Sequence, residues 1–219
     1  MLALLLSVLL PKPKPAASVY RDGRLTDEEL YRRFANGEER AFAVLLERHG
    51  GRVMGYLTRF FGGDTELAAD LTQDVFLRVV AAAGEFRWEA SFTTFLYKTV
   101  RNLCIDVMRS RASRPDARAA SIDAEPGDGD RGPLSERLAG TSPGGDARTL
   151  SGELSEALEA GLARLPPEQR EVFLMREVEG LKFGDIAEVL GVNENTVKSR
   201  MHYAVLSLRD ALSEFRGPE

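Results

Sequence analysis

The side chains best placed to do chemistry lie near the C-terminus: Asn195, Thr196, Lys198, Ser199, Arg200 and His202. They offer amide, hydroxyl, ammonium, guanidinium and imidazole groups within one short run. Nothing catalytic accompanies them. The chain has two histidines, His49 and His202, and one cysteine, Cys104, so it builds neither a zinc cluster nor an internal disulfide. No nucleophile–base pair or phosphate loop stands out either. What remains is hydrogen bonding and charge, the chemistry that reads nucleic acid. Lys198 can donate to guanine O6 and N7, Asn195 can pair with adenine or a phosphate, and Ser199 can donate or accept. Arg200 is better suited to backbone phosphates, which fix register without carrying sequence information.

These groups need a helix to present them, and the flanking residues supply one. Phe183, Ile186, Ala187 and Leu190 recur at helical spacing. Gly191 follows where a helix end tolerates the left-handed conformation. Val192 can fill the corner, and Asn193 is a good N-cap for a second helix. In that helix Val197, Met201, Ala204, Val205, Leu208 and Leu212 form the expected inward stripe, leaving Asn195, Lys198, Ser199 and His202 outside. The pattern is a helix-turn-helix. A plain helical hairpin with a solvated face is the simpler alternative. The cap, the corner and the clustered polar groups favour reading of the DNA major groove.

At 219 residues and 43% apolar content, the chain can form two small cores. Residues 114–150 divide them, with Pro115, Pro126, Pro133 and Pro143, several glycines, and Asp123, Glu125, Asp128 and Asp130. That composition predicts a flexible acidic linker. The domains on either side are residues 25–113 and 151–215. Residues 1–24 read as a disordered or mis-assigned tail. Its apolar run, Met1 to Leu10, is too short to span a bilayer. Its lysines follow that run, whereas a signal peptide carries charge before it. Translation starting near Val19 would account for it.

The N-terminal half predicts helices and no alternating strand pattern. Thr26 is a candidate N-cap, with Glu29 completing a capping box. A long amphipathic stretch runs from Ala41 to Phe61 and stops at Gly62-Gly63. A further helix over Glu66 to Ala83 turns Leu67, Leu71, Val75, Phe76, Val79 and Val80 inward, and Asp70, Gln73 and Asp74 outward. Ser91 can cap another helix reaching Arg111, with Phe92, Phe95, Leu96, Val100 and Cys104 as core. In the C-terminal half, Ser151 to Leu165 and Glu168 to Glu179 read as helices, the second burying Val172, Phe173, Met175 and Val178. The formal net charge of −5 argues against a free-standing non-specific DNA binder. From Lys98 to Arg118, however, basic residues dominate. A local basic stripe on an acidic chain suits a factor held on DNA by a larger partner.

Three runs together resemble the extracytoplasmic-function group of bacterial sigma factors, in the sigma-70 family. They are Asp70-x-x-Gln73-Asp74-x-Phe76; Phe86 to Arg111, containing SFTTFLYKTVRNLCID; and Leu165 to Leu212, with the Thr196-Val197-Lys198-Ser199-Arg200 string. Phe95 departs from the pattern, standing where the family often has Trp. The resemblance implies an all-α fold of two small domains joined by the linker. The first would bind core RNA polymerase and the −10 promoter element, and the second the −35 element. On this view Phe86, Lys98, Asn102, Arg109 and Arg111 contact −10 DNA, with Phe86 and Asn102 at the pocket that takes an unpaired base. Phe86 fits the core equally well. Asp70, Gln73 and Asp74 would dock on the polymerase clamp, and Asn195, Thr196, Lys198, Ser199, Arg200 and His202 would read −35. The resemblance further implies a cytoplasmic protein without cofactor, metal or catalytic residues. Its partners would be core polymerase, promoter DNA and an anti-sigma factor, with no stable homo-oligomer.

Two other classes account for less of the sequence. A stand-alone helix-turn-helix regulator would bind palindromic sites as a dimer, but leaves Phe86 to Arg111 unexplained. An enzyme would need a catalytic constellation that this sequence lacks.

Overall fold

The computed structural model describes residues 25–84, 91–113 and 156–213, and these contain helices and no strand. The linker, the N-terminal tail and Phe86 lie outside them. In chain order the helices are α1 (Asp27–Ala35), α2 (Glu39–Phe60), α3 (Thr65–Ala81), α4 (Phe92–Ser113), α5 (residues 156–164), α6 (Pro167–Phe173), α7 (Phe183–Leu190) and α8 (Glu194–Ala211).

Three of the four N-terminal helices start on a side-chain cap; α2, which follows Glu38, does not. Thr26 Oγ1 accepts from the Glu29 amide at 3.2 Å, Asp64 Oδ1 from Leu67 at 3.0 Å, and Ser91 Oγ from Thr94 at 3.1 Å. Such caps satisfy amides that a helix start leaves unpaired. The capping box is only half made. The Glu29 carboxylate turns away to Arg32 (2.8 Å) and Arg33 (3.1 Å), nearer charges than the cap amide. Longer links close the bundle. Tyr31 donates its hydroxyl to the Val79 carbonyl at 2.7 Å, tying α1 to α3. Asp27 accepts from Arg48 Nη1 and pairs with His49 Nε2, both at 2.7 Å, tying α1 to α2. Glu28 accepts from the Phe92 amide at 2.9 Å, joining α1 to the start of α4. Beneath lie Tyr31, Phe42, Leu45, Tyr56, Phe92 and Leu96, all buried. Phe92 sits 5.1 Å from the Tyr31 ring and Phe95 5.7 Å from it, so both serve the core.

In the C-terminal half, α6 does not run on as the sequence suggests. After Phe173 the chain makes a π-helical turn over Leu174–Val178, with the Glu179 amide reaching back five residues to Leu174. The extra residue per turn shifts the face. Val178, expected inside, is rotated out (39% exposed), and Glu179 is rotated in (5%). Val80 and Val205 also lie outside their expected stripes. Each follows or adjoins a buried neighbour, Val79 or Ala204, by one residue, a rotation of about 100° that one narrow face cannot hold. Elsewhere the packing is close: a Cβ added at Gly161 of α5 would meet Leu208 Cδ2 at 3.0 Å and Ala211 Cβ at 3.3 Å. Glycine lets α5 and α8 approach.

The two halves also touch. α7 packs on α4, and α6 with its π turn packs on α2. Arg170 of α6 donates to the Phe60 carbonyl at the end of α2 at 2.6 Å, with its guanidinium 5.9 Å from the Phe60 ring centre.

Candidate nucleic-acid interface

Three local devices aim α8. Gly191 adopts φ 66°, ψ 34°, a left-handed conformation that costs other residues a Cβ clash, and its amide bonds back to Ala187. The Val192 amide reaches the same carbonyl at 3.1 Å, closing the α7 C-terminus. Asn193 Oδ1 then accepts from the Thr196 amide at 2.8 Å and its hydroxyl at 3.0 Å. With Val197, Ala204 and Leu208 buried, Asn195, Lys198, Ser199 and His202 are exposed on one arc. Lys198 leans on Glu194 one turn back (2.7 Å), a solvated pair that separates at little cost.

Thr196 and Arg200 stand apart from that arc. The Thr196 hydroxyl is committed to the cap. Arg200, expected to face phosphates, is half-buried with Nη1 3.7 Å from Glu171 Oε1. One residue past Ser199 it has rotated off the exposed arc and found a buried carboxylate.

On α4 the helical turn sorts the expected contacts. Lys98, Asn102 and Arg109 are spaced at about whole turns and share a face. Arg111 falls on the other side, where it pairs with Asp64 at 3.3 Å and lies 5.5 Å from the Phe61 ring centre. Asn102 and Arg109 are exposed, whereas Lys98 Nζ sits 2.8 Å from Glu188 Oε1 of α7. On α3, Asp70 and Asp74 are exposed and Gln73 half-exposed. The same face continues into Leu77 (47% exposed) and Val80 (40%), an acidic end beside an apolar one.

Sequence reasoning missed the residues where the halves meet. Glu171 receives Arg101 Nε at 3.4 Å as well as Arg200, and Glu179 receives Arg52 Nε at 3.0 Å. Arg52 Nη2 also donates to the Glu179 carbonyl at 2.7 Å. Burial pushes the carboxyl groups of Glu171 and Glu179 above the usual range, against the pull of those arginines. One signal was present: Glu171 shares the apolar phase of Leu174 and Met175, where a carboxylate needs a partner. Burial also drives the Cys104 thiol up to about 12, which removes it as a nucleophile.

With this geometry in view, comparison with known proteins is specific. Residues 45–114 match Sigma-70 region 2, and residues 155–208 match Sigma-70, region 4. The RNA polymerase sigma-H factor of Pseudomonas aeruginosa is 30% identical over 187 residues, 85% of this chain and 93% of that protein. The ECF RNA polymerase sigma factor SigM of Mycobacterium tuberculosis is 33% identical over 175 residues, covering 80% and 79%. The sigma factor RpoE of Bartonella quintana, solved with the anti-sigma factor NepR, aligns at a TM-score of 0.62 and 20% identity, over 80% of this chain and 98% of that one. At that identity the likeness is one of fold. The chain belongs to the sigma-70 family of RNA polymerase sigma factors, in its extracytoplasmic-function group. Among the described residues no helix is long and apolar enough to cross a membrane.

Proposed function

We propose that this chain directs core RNA polymerase to a particular set of promoters and helps open them, with residues 25–113 serving the −10 element and residues 151–215 the −35 element. The observation that carries the reading is the shared outer arc of Asn195, Lys198, Ser199 and His202 on a helix fixed by its own cap and corner. Such a helix enters the major groove with these groups against base edges. Lys98, Asn102 and Arg109 form the −10 face: two cations hold the backbone and the amide pairs with an exposed base edge. Phe86 belongs to that site on the family pattern and lies outside the described residues. Arg111, paired with Asp64, contributes charge from the flank, and Thr196 and Arg200 act in positioning.

The α3 face docks on polymerase. Asp70, Gln73 and Asp74 give complementarity to a basic partner, and Leu77 and Val80 supply apolar area that water covers poorly. The factor works in the cytoplasm without metal or cofactor and catalyses nothing itself. An anti-sigma factor restrains it, as the partner named with the Bartonella protein suggests. A free-standing regulator is not favoured, because it gives the N-terminal half no task. In vitro transcription with core polymerase and a genomic fragment library tests the reading. New start sites that depend on the chain are expected; unchanged initiation overturns it.

A further inference from the structure

We infer that the −35 surface of α8 continues past His202 into an apolar strip, Tyr203 and Leu206, that reads the C5-methyl groups of one or two adjacent thymines in the major groove. The inference rests on the −35 assignment above and names the base that the far end of that surface takes.

Tyr203 and Leu206 are open to solvent, 57% and 41% exposed, and Val205 beside them is exposed too. The core does not account for them. Leu206 stands two residues from buried Ala204 and two from buried Leu208, a rotation of about 200° from each, so no turn of α8 brings it inside with them. The reading arc does account for them. Leu206 follows Asn195 by eleven residues, Ser199 by seven and His202 by four, all whole turns to within about 40°. Tyr203 follows Ser199 by four. Its ring meets the His202 ring edge-on, with centroids 5.7 Å apart and planes at 62°, which ties it to the same arc.

The composition of the strip selects its ligand. From Tyr203 to Leu208 the helix carries no charged or amide side chain; Lys198 precedes this stretch, and Arg209 follows it, with Asp210 closing the far end. An apolar strip between two cations fits a groove with methyl groups on its floor and phosphates along its edges. Thymine is the base that supplies such a floor: in the major groove it shows a C5-methyl beside an O4 acceptor, where cytosine shows an N4 amino donor. Packing Tyr203 or Leu206 on the methyl removes apolar surface from water. Against cytosine the same side chains leave a donor unpaired. Leu206 lies about 4.5 Å along α8 from Tyr203, close to the base step of about 3.4 Å, so the two side chains meet neighbouring base pairs.

The test uses holoenzyme, the full chain with core polymerase, on a duplex recovered from the genomic-fragment transcription and randomised across its −35 window. Bound duplexes should carry thymine, in either strand, at one or two adjacent positions. Deoxyuridine there deletes only the methyl and should weaken binding about fourfold, the contribution of one buried methyl group. Tyr203→Ala and Leu206→Ala, both at exposed positions, should each abolish the difference between thymine and deoxyuridine at one position while leaving the preference set by Lys198 intact. Tyr203→Phe should keep the difference, since the ring carries the contact. Deoxyuridine bound like thymine at every position overturns the inference, as does a methyl effect that survives both alanine variants. So does a Tyr203→Ala loss that is equal on all sequences, which would make the strip a polymerase contact. Lys198→Ala separates the two levels: a −35 preference that depends on Lys198 but ignores the methyl sinks the thymine strip alone, and no −35 preference at all sinks the −35 assignment.

Discussion

The two helices proposed to face promoter DNA are set in place in different ways. α8 is aimed by neighbours in sequence: Gly191 turns the chain, Asn193 caps it, and Glu194 steadies Lys198, all within one or two turns. α4 is aimed by residues far away. Its start is held by Glu28, its first turns are wedged between the rings of Tyr31 and His49, and its leading cation is held by Glu188. A locally set helix keeps its reading face wherever its domain goes. A helix set by long-range contacts can be switched by whatever alters them. The difference suits a rigid duplex reader beside a reader of opened strand.

The largest way to break the comparison is to remove the α4 anchor. Phe92 is fully buried, and Phe92→Ala should cost about 3–5 kcal/mol of stability, read as a lower midpoint in urea. Because α8 is set locally, the far-ultraviolet signal should be lost in two steps, with the N-terminal half melting first. A single transition would show that the packing of α7 on α4 and of α6 on α2 couples the unfolding of the two halves. Next is Lys198→Ala, expected to weaken promoter binding by the holoenzyme by about 1–3 kcal/mol and to relax preference at one upstream position. Arg109→Ala should instead weaken all −10 variants alike and flatten the salt dependence. Equal loss across all −35 variants for Lys198 would reduce it to a phosphate contact.

Legibility followed the same division. The Gly191 corner, the Asn193 cap and the outer arc of α8 could be read from residues a few positions apart, and the structure places them as expected. So could the burial of Phe92, Leu96, Val100 and Cys104. Errors arose where a pattern had to be carried across an irregularity. Val178 was read as core because a regular 3.6-residue repeat was extended through a π turn that the sequence does not announce. Val80 and Val205 fall outside a buried arc whose width hydrophobicity alone does not fix. Arg200 and Arg111 read as phosphate contacts by charge, and that reading does not reveal the acids beside them, Glu171 and Asp64, which lie far off in sequence. A long-range ion pair has no periodicity to betray it.

Two smaller effects sharpen the contrast between local and distant support. Asn193→Ala removes the acceptor for the Thr196 amide and should cost about 1 kcal/mol, measured by thermal unfolding, while Asn193→Gly should cost only a few tenths. In the N-terminal half the matching device is Asp27. Its hydrogen bond to His49, with help from Arg48, holds its carboxyl below the usual range. A folded-state value below the unfolded one means that the unfolded chain takes up the proton first. Its stabilisation is thus complete above the ordinary carboxylate range and drains away as pH falls through that range toward the lowered value. Asp27→Asn should therefore lower stability at neutral pH and flatten its decline from about pH 5 to pH 3. An unchanged acid slope would assign the sensitivity to other carboxylates.

The smallest predicted effect tests whether α8 is as self-sufficient as it looks. Glu194 favours the first turn of the helix and pairs with Lys198, while placing negative charge beside the surface proposed to meet DNA. Glu194→Ala should lower stability by about 0.3–0.5 kcal/mol, yet modestly tighten promoter binding, because Lys198 is released and a repulsion disappears. Opposite signs in unfolding and in binding are the signature of a pair that serves the fold at the expense of the ligand. Losses in both would mean that Glu194 holds Lys198 in its reading position. The carboxylate would then be part of the recognition surface, and the lysine would be held by it as Lys98 is held by Glu188.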